Sequence, residues 1–202
     1  MFILNYGNLI DPLFRDVRQF VPDFAGMHAG DKVIDVCCGT GAQVLEYGRR
    51  DINAIGIDLD PNMIKTASEN LTKAGTETVS FQLADAAALP FPDGSFDYAS
   101  ISLALHDKDK VLRSRIVKEM MRVVKKGGAL VIIDYNVPLG WHIWTIAARM
   151  IEFFVGGAHY AGFKKYLATG GTDTILKNHG LQEERRVTLK SGLLLAVKAL
   201  NP

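Results

Sequence analysis

The sequence predicts an α/β fold, a doubly wound, Rossmann-like and mainly parallel sheet that carries helices on both faces. Two observations support this fold class. Short runs of apolar residues recur along the chain without polar alternation, which is typical of strands buried on both sides. Amphipathic helical stretches lie between these runs, as expected when helices connect parallel strands.

The first half of the chain is predicted to contain three helices and two strands. A helix from about Ile10 to Phe20 comes first. KVIDVC then forms a continuous apolar strand, and a helix begins in GAQVLEYGRR. AIGID is the second strand, and PNMIKTASENLTKAG is a helix that Pro61 opens and Gly75 closes.

The second half continues the alternation and ends in a hairpin. VSFQLAD and FDYASISLAL are the third and fourth strands, and ALVIIDY is the fifth. The helix before the fifth strand, KVLRSRIVKEMMRVVKKGG, has basic residues in its last turn, a Gly-Gly stop and an apolar face of Leu112, Ile116, Met120 and Val123. A helix near TDTILKNHG precedes LQEERRVTL and GLLLAVKAL, two apolar runs that predict a closing hairpin. Only Asn136 to Gly171 is expected to be irregular.

Length and composition favour a globular protein that binds small molecules. The 202 residues are 48% hydrophobic, enough for a core without disulfides. A net charge of +1, with dispersed Lys and Arg, argues against nucleic-acid binding. MFILNYGNLIDP lacks the features of a signal peptide, and WHIWTIAARMIEFFV is shorter than the roughly 20 apolar residues of a spanning helix. We therefore expect a cytoplasmic protein without stable membrane insertion.

The two cysteines of the chain, Cys37 and Cys38, are adjacent and precede a Gly-Thr-Gly turn. Structural zinc usually requires four ligands, and the chain has no second cysteine pair. Neighbouring side chains of a strand point to opposite faces, so the two sulfur atoms are poorly placed to act together. We expect them to be small residues of a pocket wall, and we expect no metal site.

The glycine turn after the first strand lies where open parallel sheets bind ligands, at the carboxyl ends of the strands. Gly39 and Gly41 allow a sharp bend and a close approach of backbone to ligand. GTGAQV contains no lysine, which excludes a phosphate-binding P-loop. Val44 occupies the third glycine or alanine position of a dinucleotide fingerprint, which weakens that alternative.

Each of the first three predicted strands carries an acidic residue within it or at its end. Asp35 lies on the first strand, Asp58 ends the second about twenty residues after the turn, and Asp85 ends the third. Asp60, directly before Pro61, is the better helix cap and leaves Asp58 for a ribose diol. These acids suit a ligand with a diol, an amino-bearing base and a net positive charge, and they suit a pyrophosphate badly.

Four stretches stand in order at the predicted strand ends: VIDVCCGTG, GIDLDPNMI, ADAAALPFPDGSFDYASISLALH and MMRVVKKGGALVIID. They resemble the successive motifs of the class I S-adenosylmethionine-dependent methyltransferases, and most of all the ubiquinone/menaquinone biosynthesis branch. The resemblance covers about Lys32 to Tyr135. It extends more loosely to HYAGFKKYLATGG, LKNHGL and the opening NYGNLIDPLFRDV, which resembles a helix that folds over the cofactor. It implies a seven-stranded sheet whose last strand runs antiparallel.

The resemblance also implies a binding site for S-adenosylmethionine, with S-adenosylhomocysteine as the product. Asp35 and the backbone of Cys37 to Gly41 would hold the methionine end of this cofactor. Asp58 would bind the ribose.

The same resemblance places the adenine near the second and third strands. Leu59 and Met63 would flank its ring, and Asp85 and Ala86 would face its edge, with Asp85 accepting from the exocyclic amine. The complete set of expected cofactor-binding residues is Asp35, Cys37, Gly39, Thr40, Gly41, Asp58, Leu59, Met63, Asp85, Ala86 and Ser102.

Methyl transfer mainly requires alignment of donor and nucleophile, and a base is needed only if the nucleophile must lose a proton. His106, just past the fourth strand, is a candidate base near neutral pH, with passive lining of the pocket as an equal alternative. His159 and Tyr160 are candidates for positioning the acceptor, with a plain lid role as the alternative. Asp107 and Asp134 suggest a metal site, but no set of three oxygen ligands is visible.

The stretch from Trp141 to Tyr166 is rich in large apolar side chains. A helix there would place Ile143, Ile146, Ala147, Met150 and Phe154 on one face. That face either packs on the sheet or belongs to a roof over an apolar acceptor site, which for a prenylated acceptor would allow transient membrane contact.

We expect one domain over residues 1–202, divided into four parts. These are an N-terminal helical cap (1–30), a cofactor-binding core (31–135), a substrate lid (136–171) and a terminal helix and hairpin (172–202).

The leading hypothesis is an enzyme that methylates a small, apolar or aromatic acceptor. A protein that binds the cofactor without transferring its methyl group is the main alternative. An NAD-dependent oxidoreductase is disfavoured by Val44 and the acids. A nucleic-acid methyltransferase is disfavoured because SLALHD stands where exocyclic-amine methylators carry an Asn/Asp-Pro-Pro-aromatic motif. The acceptor and the oligomeric state stay open.

Overall fold

A seven-stranded sheet forms the centre of residues 12–202, the part of the chain that the structure, a computed structural model, describes. Its strand order is β3-β2-β1-β4-β5-β7-β6. Strands β1 to β5 pair in parallel, and β7 runs antiparallel between β5 and β6. The expected fold class and the antiparallel last strand are therefore confirmed. The strands are β1 Lys32–Val36, β2 Asn53–Asp58, β3 Val79–Leu83, β4 Phe96–Ser102, β5 Val124–Tyr135, β6 Gln182–Leu189 and β7 Leu194–Leu200.

Seven helices connect and flank the strands within the described residues. The strand order reverses at β1, so right-handed crossovers place the helices after β1 and β2 on one face and the helix after β4 on the other. The helices are α1 Arg15–Ala25, α2 Ala42–Gly48, α3 Pro61–Ala74, α4 Lys110–Val123, α5 Ile143–Val155, α6 Gly157–Ala168 and α7 Gly171–His179.

The described N-terminal helix overlaps the predicted range and continues beyond its end. We expected about Ile10 to Phe20, whereas the described helix, α1, spans Arg15–Ala25. Residues 1–11, which include most of the opening NYGNLIDPLFRDV, lie outside the described residues. The helix ends at Gly26, whose left-handed conformation (φ 71°) accommodates the chain reversal.

The core lies between the central strands and the helices that cover them. Residues 130–133 of β5 are all 0–1% exposed, as expected for a strand covered on both faces. Ile116, Met120 and Val123 of α4 are equally buried, and Leu112 is partly buried against them. This confirms the apolar face that the spacing predicts for α4.

The Gly-Gly stop predicted for α4 is wrong. The helix ends at Val123 and β5 starts at Val124, so Gly127 and Gly128 belong to the strand. Asn201 explains the early end, because its side-chain amide donates to the carbonyls of Met121, Val124 and Lys125. Gly128 is required for close packing, since a Cβ there would lie 2.5 Å from the carbonyl oxygen of Asp97.

The segment expected to be irregular contains two helices, α5 and α6, with Gly156 (φ 71°) between them. The face of α5 formed by Ile143, Ile146, Met150 and Phe154 is exposed, so the interpretation that this face packs on the sheet is wrong. No helix in the described part of the chain has the length and apolar character that a membrane span requires. The division into four parts stays a prediction.

We expect the Asn201→Ala substitution to lower the free energy of unfolding by about 2 kcal/mol, because buried carbonyls at the end of α4 lose their donor. Urea denaturation followed by circular dichroism measures this change. Asn178→Ala, on the exposed side of α7, is the matched control and should change the value by less than about 0.5 kcal/mol. Equal losses in both variants would contradict the capping role of Asn201.

Candidate active site

The glycine turn leaves β1 through backbone conformations that favour glycine. Cys37, Gly39 and Gly41 all have positive φ angles, of 59°, 53° and 78°. A Cβ on Gly41 would lie 2.4 Å from the ring of Phe81, so this glycine is required for packing. A Cβ on Gly39 would have no atom within 4 Å. The turn therefore presents the backbone of Gly39 to open space, where a ligand can approach.

Asp35 lies buried at the centre of this edge, 3% exposed, and accepts a 2.5 Å hydrogen bond from the Ser100 hydroxyl. Burial raises the pKa of Asp35 to about 7, and the Ser100 hydrogen bond and the charge of Arg18 oppose this rise. The carboxyl group is therefore close to its ionisation point at neutral pH, and a cationic ligand would favour its charged form.

Asp58 anchors the glycine turn. Its Oδ2 accepts from the Gly39 N–H at 2.9 Å, and its Oδ1 accepts from the Asp60 N–H at 3.0 Å. Asp60 caps α3 by accepting from the Asn62 N–H at 2.8 Å, as the sequence predicts. Asp58 is thus not free of protein contacts, but each carboxylate oxygen keeps further lone pairs for a ribose diol.

The residues expected around the adenine lie near the ends of β2 and β3. Leu59 is exposed, and Met63 is half-buried on the first turn of α3. Asp85 is exposed, two residues after β3 ends, and accepts from the Ala87 N–H at 2.8 Å. Ala86 is buried. The structure places these four residues at one edge of the sheet.

The residues expected near the methionine end lie between β1 and β4. The Ser102 hydroxyl, at the end of β4, is buried without a hydrogen-bond partner among the described residues. Thr40 is buried, and its carbonyl accepts from the Asn70 side chain at 3.1 Å. Burial raises the pKa of Cys37 to about 12 and that of Cys38 further, so both sulfur atoms stay protonated and are poor metal ligands.

The residues around the turn fit S-adenosylmethionine. The open space over Gly39 admits a close ligand, and the unpaired Ser102 hydroxyl offers it a polar group. Carboxyl groups at Asp35 and Asp58 match a cationic amino acid moiety and a diol, whereas the turn supplies no lysine for phosphates.

A second group of polar residues begins directly beside the turn. His106 follows β4, the neighbour of β1 in the sheet, and both strands end at this edge. Its Nδ1 lies 2.7 Å from Oδ1 of Asp134, and both side chains are buried. The other oxygen of Asp134 accepts from the backbone N–H groups of Leu105 and His106 at 3.0 and 3.1 Å. The β5 carboxylate thus fixes both the loop after β4 and the imidazole ring.

Two further residues come from the helices after β5. Glu152 on α5 has one oxygen 2.6 Å from Nε2 of His159 on α6, and the other 3.5 Å from Nε2 of His106. Tyr135 donates to Glu152 at 2.8 Å, and Nδ1 of His159 lies 3.2 Å from Asp107. We call His106, Glu152 and His159 the His–Glu cluster. Nδ1 of each imidazole lies near an aspartate, Asp134 for His106 and Asp107 for His159. Nε2 of each imidazole points toward Glu152.

The His–Glu cluster is charged at neutral pH. Burial disfavours the charged form of His106, but Asp134 and Glu152 outweigh it and raise its pKa to about 10. The Asp107 and Glu152 side chains raise the pKa of His159 to about 9. Burial likewise opposes the charge of Glu152, yet the two histidines lower its pKa to about 2. Without a ligand, His106 therefore holds its proton near pH 7, which is unfavourable for a base.

The ligating atoms of the His–Glu cluster lie within 4.8 Å of one another, so the three residues could also hold a metal ion. The absence of a metal stays a prediction. Tyr160 lies nearby, with its ring 5.5 Å from that of Phe153 and 6.4 Å from that of Phe163.

Sequence reasoning missed Glu152, although one signal pointed to it. It is the single acid in the apolar run WHIWTIAARMIEFFV, and an isolated acid in such a run usually has a buried partner. Asp134 was considered only as a metal ligand, whereas the structure makes it the hydrogen-bond partner of His106.

Comparison with known proteins identifies relatives of this chain. Residues 12–150 match the ubiE/COQ5 methyltransferase family. The demethylmenaquinone methyltransferase of Listeria monocytogenes is 37% identical over 144 residues, which cover 68% of this chain and 60% of that protein. The ubiquinone/menaquinone biosynthesis C-methyltransferase UbiE of Serratia proteamaculans is 36% identical over 134 residues, covering 63% of this chain and 51% of that protein. The chain thus spans about half to three fifths of these curated relatives.

Solved structures share the fold at low sequence identity. A SAM-dependent methyltransferase from Aquifex aeolicus superposes with a TM-score of 0.68 and 19% identity, covering 92% of this chain and 89% of that chain. At this identity the likeness supports the architecture of the sheet and not a particular substrate.

We expect Asp58→Ala to weaken binding of S-adenosylhomocysteine by roughly 30-fold, or about 2 kcal/mol, because the ribose and the Gly39 N–H both lose a charged acceptor. Isothermal titration calorimetry measures the affinity. Asp60→Ala is the matched control, since it removes the cap of α3 two residues away and should leave the affinity nearly unchanged. Unchanged affinity in Asp58→Ala would show that the ribose binds elsewhere.

The pKa of about 7 at Asp35 predicts pH-dependent cofactor binding. A cationic cofactor favours the ionised carboxylate, so below that pKa binding requires release of a proton and the affinity for S-adenosylmethionine should fall as pH decreases. Calorimetric titration at pH values on both sides of 7 measures this dependence. Asp35→Asn should remove it, and a wild-type affinity that is independent of pH would contradict the role of Asp35.

Proposed function

Because the chain belongs to the ubiE/COQ5 methyltransferase family, we propose that it transfers the methyl group of S-adenosylmethionine to a ring carbon of a quinone-related aromatic acceptor. The family match confirms the enzyme class and the cofactor expected from the four motifs. One observation carries the proposal for the acceptor. The His–Glu cluster, in which His106 and Glu152 are buried and His159 is half-buried, lies against the loop after β4, at the same edge of the sheet as the cofactor turn.

The names of the relatives support a quinone-related acceptor, since two of them are named for steps in menaquinone and ubiquinone biosynthesis. The aromatic side chains around the cluster also suit a flat ring. His106 lies 4.8 Å from the ring of Tyr135 and 6.1 Å from that of Phe163. Tyr160 stacks on Phe163 and so belongs to the same group of aromatic side chains. We propose that it positions the acceptor.

S-adenosylmethionine supplies an electrophilic methyl group and a neutral thioether as leaving group. The protein therefore has to align the ring carbon with that methyl group and exclude water, and orientation alone can contribute roughly 7–11 kcal/mol. Asp35, Asp58 and the Gly39 backbone hold the donor side. The loop after β4 and helices α5 and α6 hold the acceptor side.

A ring carbon becomes nucleophilic when a hydroxyl group on the ring loses its proton. Since His106 and His159 are charged near neutral pH, we propose that they donate hydrogen bonds to the developing oxyanion and stabilise it. The acceptor releases its hydroxyl proton to solvent as it binds, and Glu152, the carboxylate between the two imidazolium rings, holds both rings in place. After the methyl group has bonded to the ring, the same carbon loses its hydrogen as a proton to solvent, which restores the aromatic ring. This assignment replaces the base expected at His106 with two charged hydrogen-bond donors that a carboxylate positions.

Three further expectations stay predictions. They are the cytoplasmic location, the absence of nucleic-acid binding, and a single small molecule as methyl acceptor. The alternative of a cofactor-binding protein without activity is tested directly by methyl transfer.

The function is tested with S-adenosylmethionine that carries an isotopic label on its methyl group and with a water-soluble, short-tailed hydroquinone. We expect labelled methyl groups on ring carbon, identified by mass spectrometry and NMR. We also expect S-adenosylhomocysteine, and not NAD, to raise the melting temperature. Methylation of oxygen, or binding of S-adenosylhomocysteine without transfer to any of a panel of hydroquinones, would overturn the proposed reaction.

We expect Glu152→Gln to lower kcat by roughly 10²–10³-fold, because the carboxylate that positions both charged imidazole donors is lost, while the affinity for S-adenosylhomocysteine stays unchanged. Glu69→Gln, on the exposed surface of α3, is the matched control and should keep full activity. A chelator should leave the activity of the wild-type protein unchanged. Loss of activity on chelation, with recovery on addition of a divalent metal, would contradict the role of Glu152 in positioning the two imidazoles.

A further inference from the structure

Helix α5 and Trp141, which precedes it by two residues, expose a large apolar surface. Trp141 is 83% exposed, Ile143 71% and Phe154 73%. Soluble proteins rarely expose several large apolar side chains side by side, so a contiguous surface of this kind indicates an interaction. We call this surface the apolar face of α5; it consists of Trp141, Ile143, Trp144, Ile146, Met150, Ile151, Phe153 and Phe154.

The orientation of α5 is fixed by the polar residues on its inner side. Thr145, Ala148 and Glu152, spaced three and four residues apart, are the buried side chains between residues 143 and 154. The Thr145 hydroxyl donates to the Gly140 carbonyl at 2.7 Å, and Glu152 is held by His159 and Tyr135. Rotating the helix to bury its apolar side would remove Glu152 from these partners. The apolar face is therefore directed outward by the active site itself.

Cations border the apolar face, and no exposed acid accompanies them between residues 137 and 171. Glu152 is the only acidic residue in that segment, and it is buried. The guanidinium of Arg149 lies 5.1 Å from the ring of Trp141. The ammonium of Lys164 lies 4.9 Å from the ring of Tyr160, which itself packs on Phe153. The surface is thus apolar with a positive border.

We propose that the apolar face of α5 docks on the surface of an anionic lipid bilayer. Tryptophan and phenylalanine insert at the boundary between headgroups and acyl chains, and bordering cations attract anionic headgroups. The 13 residues of α5 are too few to cross a bilayer, so the helix would lie in the plane of the interface.

The charge pattern favours a bilayer over a second copy of the chain. A symmetric dimer through this face would bring Arg149 and Lys164 near the same cations of the partner, with no exposed carboxylate in the segment to pair with them. An anionic bilayer supplies the opposite charge together with an apolar layer.

Docking would place the active site directly behind the membrane surface. Glu152 is on the inner side of the same helix whose outer side would contact lipid. An acceptor with a hydrocarbon tail could then reach the cluster without leaving the bilayer completely. This inference goes beyond the proposed function, because lipid binding requires no methyl transfer.

The two tryptophans of the chain, Trp141 and Trp144, both belong to the apolar face, so tryptophan fluorescence, excited selectively, reports on this surface alone. The test mixes the complete chain with vesicles of equal parts phosphatidylglycerol and phosphatidylcholine. We expect co-sedimentation, a blue shift of the emission, and weakening of both by added salt and in vesicles of pure phosphatidylcholine. The absence of both co-sedimentation and a blue shift with the mixed vesicles would overturn the proposal.

A double substitution, Ile143→Ser with Phe154→Ser, should weaken vesicle binding at least about tenfold, because two exposed apolar anchors are removed. Leu83→Ser is the matched control; Leu83 is 53% exposed on β3, an edge strand of the sheet outside the apolar face, and its substitution should leave binding unchanged. Neither substitution removes a buried contact, and circular dichroism verifies the fold.

Two other outcomes separate this inference from its alternatives. A lipid-free dimer, seen by light scattering, that dissociates in the double variant and fails to bind vesicles would assign the face to a second copy and overturn the proposal. Vesicle binding by a chain that methylates no hydroquinone would support the inference while the proposed function fails. Methylation of a short-tailed hydroquinone without vesicle binding would give the reverse result.

Discussion

A buried carboxylate needs hydrogen-bond donors, and this requirement at Asp134 organises the acceptor end of the molecule. Asp134 lies on a strand that is covered on both faces, and it takes its donors from the loop after β4 and from the ring of His106. The imidazole is thereby held with its free nitrogen toward Glu152. The position of Glu152 then determines how α5 lies on the protein. Because Glu152 is on the buried side of α5, the apolar side of this helix is exposed.

The two ends of the active site are built in different ways. At the cofactor end the site is formed mainly by the backbone of the glycine turn. Asp58 accepts from the Gly39 N–H, and Cys37 and Gly41 have left-handed conformations. At the proposed acceptor end the site consists of charged side chains from the β4–α4 loop, α5 and α6. A backbone turn tolerates changes of side chain, whereas removing one member of a network of buried charges leaves its partner charged and unpaired.

The position of α5 connects chemistry to surface character. Its inner side needs Glu152 among histidines, and its outer side presents tryptophan, isoleucine and phenylalanine. A helix that buried its apolar side would be better packed but would leave Glu152 without its partners, which is costly for a charged group. The proposed reaction and the proposed membrane docking would thus have one structural origin, the orientation of α5.

Local patterns in the sequence predicted most of the elements and the cofactor end. The apolar runs placed the strands, Asp60, Pro61 and Gly75 placed α3, and the turn with Asp35 and Asp58 indicated the ligand class, because each signal depends on residues close in the chain. The tertiary structure alone decided the rest. Asn201 ends α4 from 77 residues away, Ser100 reaches Asp35 across 65, and His106 pairs with Asp134 across 28. Such pairs form only when separate strands meet in the sheet. The sequence pattern shows that α5 is amphipathic, but the buried partners of Glu152 decide which of its sides faces the solvent.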